Sequence, residues 1–326
     1  MISKRKKLFL ILTLILMLVT SACSKETSYA EAINIDNQDS EEFHYTFTDA
    51  LGQEVVLDKK PERVVSLLGS YSETWVLAGG SLAGVTDDVQ KEGRMEITDD
   101  MQVVGTVKEP NLEGILSLNP DFVLLTTDVG KQVNIAETFK ELNIKHAFFK
   151  MEEFEDYLNM LNICTDITGR KDLYEEKGLK IKRDIDDILS KVEGVKNEEL
   201  KVLFIRAFSS GAKAKKDDNM TCTMLNNLGT VNIAAKHPSL LEDLSIEEII
   251  QEDPDFIFVT TMGDEQKAIE ALKKGIETNP AWRSLSAVEN DRYIILPKEL
   301  FHYKPNAKWG ENYRYLAEII YPEIFD

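Results

Sequence analysis

Residues 111–127, NLEGILSLNPDFVLLTT, and residues 245–261, SIEEIIQEDPDFIFVTT, are two versions of one segment placed 134 positions apart. Aligned without a gap they agree at Glu113/Glu247, Ile115/Ile249, Pro120/Pro254, Asp121/Asp255, Phe122/Phe256, Thr126/Thr260 and Thr127/Thr261. In each copy a helical run meets Asn-Pro-Asp or Asp-Pro-Asp. Proline ends the helix and pushes the residue before it towards an extended conformation, and an apolar strand follows at once. Such a helix–strand unit is the building block of a parallel α/β lobe, and its recurrence calls for two lobes.

The flanks follow the same plan. VVSLLGSYSETWVLAGG from residue 64, and VLFIRAFSS with MLNNLGT from residue 202, each read as strand, loop, helix and glycine stop. Ahead of the first, YTFTDALGQEVVLDKKPERVVSL alternates apolar and polar residues around Leu51-Gly52, which predicts a β-hairpin over 45–57 and a strand at 63–68. Further strands are expected near 83–86, 121–126, 144–149, 201–207, 255–260 and 292–296. Helices are expected at 111–118, 131–142, 221–228, 245–251, 265–277 and 307–320. Residues 152–193 break the alternation and read as helical except at Thr168-Gly169; from Lys171 onward Ile181, Ile185, Ile188 and Val192 recur at helical spacing. The expected fold class is therefore α/β: two similar lobes with parallel-type sheets, joined by one long rigid helix, with a ligand cleft between them. A helix of about 23 residues is roughly 35 Å long and cannot fold like a loop hinge, so interlobe motion is expected to be small.

Lys4-Arg5-Lys6-Lys7, the apolar run 8–19 and Thr20-Ser21-Ala22-Cys23 predict a secretory signal peptide over 1–22. The segment resembles a bacterial lipoprotein signal, which implies lipidation at Cys23, export, and anchorage on the outer face of the cell membrane. Residues 23–44, polar and acidic, are then a lipid-anchored tether, 45–151 the N-terminal lobe, 152–196 the linking helices and 197–326 the C-terminal lobe. Removing the four signal cations takes the formal charge from −19 to −23, which sets a nucleic-acid partner aside. Cys164 and Cys222 have no spacing that demands a bridge and are expected as buried free thiols.

In α/β lobes ligands lie beyond the carboxyl ends of the strands. Those ends offer Tyr71, Ser70 and Arg94, then Thr127 and Asp128, in the first lobe. In the second they offer Arg206, Ser209, Ser210, Lys213, Lys215 and Lys216, then Thr261-Met262, then His302 and Tyr303. RAFSSGAKAKK sets four cations in eleven residues of an acidic chain, which suits an anionic ligand, and Arg206 is the preferred contact because its guanidinium binds carboxylates bidentately. Tyr71, His302 and Tyr303 could ligate iron directly, or stack on the ligand or close a core edge. His44, His146, His237 and His302 are scattered, so a protein-held free metal ion is not expected.

Three groups of residues, in order, resemble a known family: YTFTDALGQEVVLDKKPERVVSL, the two repeat copies, and NPAWRSLSAVENDRYIILP with the trailing helix that ends IIYP. They span about residues 45–322 and are similar to the substrate-binding proteins of bacterial ABC importers for iron complexes, heme and vitamin B12. The resemblance implies a monomeric, non-enzymatic receptor with no intrinsic cofactor. Its ligand would be an Fe(III) chelate such as a ferric siderophore, or heme, passed to a permease dimer driven by a cytoplasmic ATPase. Cobalamin is the alternative cargo, and an exported α/β enzyme acting on a tetrapyrrole or metal chelate the alternative class. No G-x-S-x-G elbow, phosphate-cradling loop or zinc helix motif supports the enzyme. The resemblance further implies that one glutamate per lobe docks on permease arginines; Glu113 and Glu247 match, with Glu248 a neighbouring substitute. Both lie at first helical turns, where an acid also complements the helix dipole.

Overall fold

Alternating apolar residues fold the start of the described chain into a hairpin, β1 (Tyr45–Thr48) antiparallel to β2 (Glu54–Leu57). The computed structural model describes residues 43–195, 200–242 and 244–325. Asp49 ties the hairpin down: its buried carboxylate accepts the Leu51 and Gln53 amides of the turn and the Phe148 amide of the adjoining sheet.

That sheet comprises β3 (Val64–Ser66), β4 (Gly84–Val85), β5 (Gln102–Val103), β6 (Phe122–Thr126) and β7 (Lys145–Phe149), all parallel in the order β5-β4-β3-β6-β7. The second sheet comprises β8 (Lys201–Phe208), β9 (Gly211–Ala214), β10 (Val231–Asn232), β11 (Phe256–Met262) and β12 (Tyr293–Ile295). Its order is β10-β8-β11-β12, parallel, with β9 folded back antiparallel on β8. In both lobes the chain adds a strand on one side of the opening strand, then crosses to lay the repeat strand, β6 or β11, on the other. The lysine-rich stretch expected as a loop is thus the hairpin β8–β9, turning at Ser209-Ser210.

The helices that frame the site are α1 (Gly69–Leu77), α2 (Leu112–Ser117), α3 (Phe154–Thr168), α4 (Lys180–Glu193), α5 (Met220–Asn227), α6 (Ile246–Glu252) and α7 (Trp309–Ile320). The repeat helices α2 and α6 are capped alike: the Asn111 side chain accepts the Gly114 amide and the Ser245 side chain accepts the Glu248 amide. The residues before the repeat prolines are not extended. Asn119 and Asp253 have φ of 47° and 41°, the left-handed region that Asn and Asp tolerate better than other non-glycine residues, so the helix turns off one residue ahead of the proline. The repeated aspartate then locks each repeat strand to its opening strand. Asp121 accepts the Glu62 and Arg63 amides at 3.0 and 2.9 Å, and Asp255 accepts the Lys201 amide at 2.8 Å.

Residues 171–193 form a continuous helical run with a π-helical turn at Glu175–Leu179. A π turn leaves a carbonyl outside the regular ladder, and the Tyr157 hydroxyl of α3 donates to the Lys177 carbonyl at 2.9 Å. Beyond the turn Ile181, Ile185, Ile188 and Val192 are buried, and α4 packs on α7. One hydrophobic cluster lies behind each sheet, and a third runs from Phe47 and Trp75 through Tyr157 and Ile185 to Phe258 and Tyr321, joining both lobes. Cys164 and Cys222 are buried free thiols within it. No helix among the described residues is long and apolar enough to cross a membrane.

Candidate functional site

The two opening strands end differently, and that difference makes the site. In the N-terminal lobe α1 starts immediately after β3, so Tyr71 is drawn into the core at 1 % exposure and its hydroxyl donates to the Phe149 carbonyl at 2.8 Å. Tyr71 is therefore not a ligand contact in this structure: its ring packs on Phe149, and its hydroxyl also reaches Thr126 of the repeat strand at 3.4 Å. Trp75, one turn further along α1, is likewise core, packed on Phe122 with its indole N–H given to the Ser81 carbonyl. In the C-terminal lobe the matching repeat threonine, Thr260, pairs across the sheet with Arg206, and its buried hydroxyl has no partner. Tyrosine fills one strand junction; the other is left open beside a cation.

A cavity of about 290 Å³ opens there, lined by Glu152, Arg206, Lys215, Asp218, Asn219, Met220, His302 and Lys304. Arg206, Lys215 and His302 were legible in the sequence; Lys304, Asn219 and Met220 were not. Ser209 is exposed at the hairpin tip, and Lys213, exposed on β9, pairs with Glu242 at 3.9 Å, so neither lines this cavity. The cavity's carboxylates already have partners: Glu152 pairs with Lys150 at 2.8 Å and Asp218 with Lys216 at 3.9 Å. Among the described residues Arg206, Lys215 and Lys304 make no ion pair, and the Arg206 Nε is buried without an acceptor. Burial pushes the Lys304 amine and the Arg206 guanidinium below their usual ranges. Desolvated cations without counterions are a receptor for an anion.

His302 lies beside them with its Nδ1 unpartnered, and burial, helped by Arg206 and Lys298, holds its pKa down at about 4. The imidazole is neutral at pH 7. Once unfolded it titrates near 6.5, so between 6.5 and about 4 the unfolded chain binds the extra proton and stability falls as pH falls. A His302→Gln variant is expected to show a shallower loss of thermal midpoint between pH 6.5 and 4.5 than the unmodified chain; parallel profiles would refute the assignment.

Arg94, chosen from the sequence as a ligand contact, is occupied elsewhere. It pairs with Glu92 at 2.6 Å and Glu73 at 2.9 Å and donates to the Lys304 carbonyl at 3.1 Å. It borders a second hollow of about 90 Å³ that Tyr303 also lines; the Tyr303 ring centroid is 5.7 Å from the Arg94 guanidinium carbon and 5.4 Å from Lys298 Nζ. Lys304 borders both spaces. A larger hollow of about 470 Å³ around Pro61, Pro120 and Leu142 lies at the opposite, amino end of β6; its Lys59 and Lys145 already pair with Asp121 and Asp58. Among the described residues no cluster of His, Cys, Asp or Glu could hold a metal ion. His44 and His237 pair with Asp58 and Glu252, and His146 packs on Phe139 and Phe148.

Two lobes of repeated topology, a helical spine and a charged cavity at the strand ends define a binding protein. The periplasmic binding protein family model matches residues 64–300, and the chain belongs to that family. It is 28% identical over 301 residues to the uncharacterized ABC transporter substrate-binding lipoprotein YvrC of Bacillus subtilis strain 168, covering 88% of this chain and 89% of that one. It is 27% identical over 290 residues to the Fe(3+)-citrate-binding protein YfmC of the same strain, covering 87% of each. The crystal structure of Staphylococcus aureus IsdE complexed with heme shares the fold, with TM-score 0.63 and 18% identity over 79% of this chain and 98% of that one. The chain is thus a substrate-binding protein of the ABC-importer class.

Proposed function

We propose that this protein captures an anionic ferric chelate in the cavity at Arg206 and delivers it to the permease of an ABC importer. The observation that carries this reading is the half-buried Arg206, its Nε buried and unpartnered, beside Lys215 and Lys304. A carboxylate or catecholate chelate supplies the acceptors these donors lack, and similarity to a ferric-citrate-binding protein supports that class of cargo. Heme is the second reading, favoured by His302: a neutral imidazole lines the cavity, where Arg206 and Lys304 would take the carboxylates. Calorimetric titration against ferric citrate, ferric catecholates, ferric hydroxamates, hemin and cyanocobalamin tests both. Saturable submicromolar binding of an anionic chelate or hemin supports the reading; binding of cyanocobalamin alone, or of nothing in the panel, overturns it.

The chain works as a monomer held at the outer membrane face through Cys23, which lies outside the described residues. Glu113 and Glu247 are exposed on the first turns of α2 and α6, at matching positions of the two lobes, which supports their docking on a two-fold permease. Glu248 is less free, because the Ser239 hydroxyl donates to it. Exposed pairs contribute about 0.2–1 kcal/mol each, which suits docking that must reverse every cycle. Reversing both charges, Glu113→Arg with Glu247→Arg, is expected to leave chelate affinity unchanged and to abolish cellular uptake of the labelled chelate; undiminished uptake would remove the docking role.

A further inference from the structure

The segment from His302 to Asn306 belongs to the C-terminal lobe, yet its backbone is held by the N-terminal one. Asn306 is fully buried with φ of 50°, and its side-chain amide donates to the Ser70 carbonyl at 2.9 Å and to Glu73 Oε2 at 2.8 Å. Two residues earlier, the Lys304 carbonyl accepts from Arg94. Glu73 joins the two ties, since it accepts from Arg94 and from Asn306. Space at the start of α1 is closed as well: a Cβ on Gly69 would stand 2.8 Å from Asp88 Oδ2 and 3.0 Å from Arg94 Cδ, so the Arg94 stem lies across a helix start that admits no side chain.

We propose that Glu73, Arg94 and Asn306 form an interlobe clasp that positions Lys304 over the cavity, so that residues which never touch the ligand govern how long it stays. Several features separate this from ordinary interlobe packing. The left-handed conformation of Asn306 is an unfavourable one for a side chain with a Cβ, and it persists because its surroundings hold it. Both amide hydrogens of Asn306 are spent on the opposite lobe, one of them on a charged acceptor. At one of the ties and two residues from the other, Lys304 lines the cavity it shares with Arg206. The clasp deepens the receptor reading above and depends on it for the ligand alone; the lobe-to-lobe tie stands without it.

The test uses the chain from Ser24 onward carrying Lys131→Cys and Glu270→Cys, exposed positions on opposite lobes, for spin labelling; Cys164 and Cys222 are wholly buried and do not compete for label. Interlobe distances are measured by pulsed electron resonance without ligand, and dissociation of ferric citrate is followed by stopped flow. Asn306→Gly keeps the backbone conformation and drops both donations. Glu73→Gln keeps an acceptor and removes the charge, and it decides the matter should the first variant fold poorly. Each is expected to broaden the distance distribution and to speed ferric citrate release roughly tenfold, with Arg94→Lys intermediate. Lys304→Met is expected to weaken ferric citrate binding with distances unchanged. Unaltered distances in Asn306→Gly and Glu73→Gln overturn the clasp, and broadened distances with unaltered release overturn its positioning role. If ferric citrate does not bind the unmodified chain, broadened distances still support the clasp, and the failure counts against the cargo reading instead.

Discussion

Arg206→Met is expected to weaken binding of an anionic chelate about 100-fold while raising the stability of the empty protein by about 1 kcal/mol. The two signs come from one fact. Without ligand, Arg206 is a half-buried cation with a buried, unsatisfied Nε, among Lys215 and Lys304 and beside a strand whose Thr260 hydroxyl is also unpaired. An apolar side chain of similar length removes the unmet donor and the like-charge repulsion, so the empty fold relaxes. With ligand, the same guanidinium supplies charge-assisted, bidentate hydrogen bonds to a carboxylate or catecholate, each contributing about 1.5–3 kcal/mol. Arg206→Lys should recover only part of the affinity, because an ammonium lacks the planar fork. Titration calorimetry and thermal denaturation of the three proteins check both halves. Stability lost and affinity kept would show Arg206 to be structural.

Gly80→Ala is expected to cost about 3 kcal/mol of stability, well above an ordinary surface substitution. A methyl group there would stand 2.2 Å from Trp75 Nε1 and 2.3 Å from Cε2, distances no relaxed contact has. Trp75 cannot swing away: it is 2 % exposed, packs on Phe122 of the repeat strand, and gives its N–H to Ser81. Gly130→Ala is the control, because nothing lies within 4 Å of its would-be Cβ and an alanine favours the helix that begins there. Chemical denaturation should separate the two variants; equal midpoints would mean that the Trp75 pocket has slack the structure does not show.

What the sequence made legible, and what it did not, divides by the range of the interactions involved. The repeat announced both lobes because its signals are local: a polar N-cap, a helix, a helix-ending Asx-Pro and an apolar strand, with Asp121 and Asp255 at the same place in each copy. Arg206, Lys215 and His302 were found because strand ends can be counted from hydrophobic runs. Tyr71 was misplaced because the first helix begins only three residues after its strand, which turns its face into the core. Arg94 looked free because two of its three partners are remote in sequence; Glu73 and the Lys304 carbonyl reach it across 21 and 210 positions. Asn306 is a residue that tolerates the left-handed region, but nothing local marks its partners, Ser70 and Glu73, which lie on the opposite lobe. The β8–β9 turn had a clue, the Ser-Gly pair after the strand, of the kind that marks turns.

The hydrophobic cluster that runs from Phe47 through the spine to Tyr321 carries a meaning beyond architecture. The sheets divide this protein in two, but its apolar interior does not. Each lobe, cut out alone, would present to water the face of α3, α4 or α7 that its counterpart now covers, so neither half is expected to fold stably without the other. Descent can therefore rewrite the strand-end loops one at a time, altering what is bound, while exchange of a whole lobe between relatives would demand a matching spine in the same step.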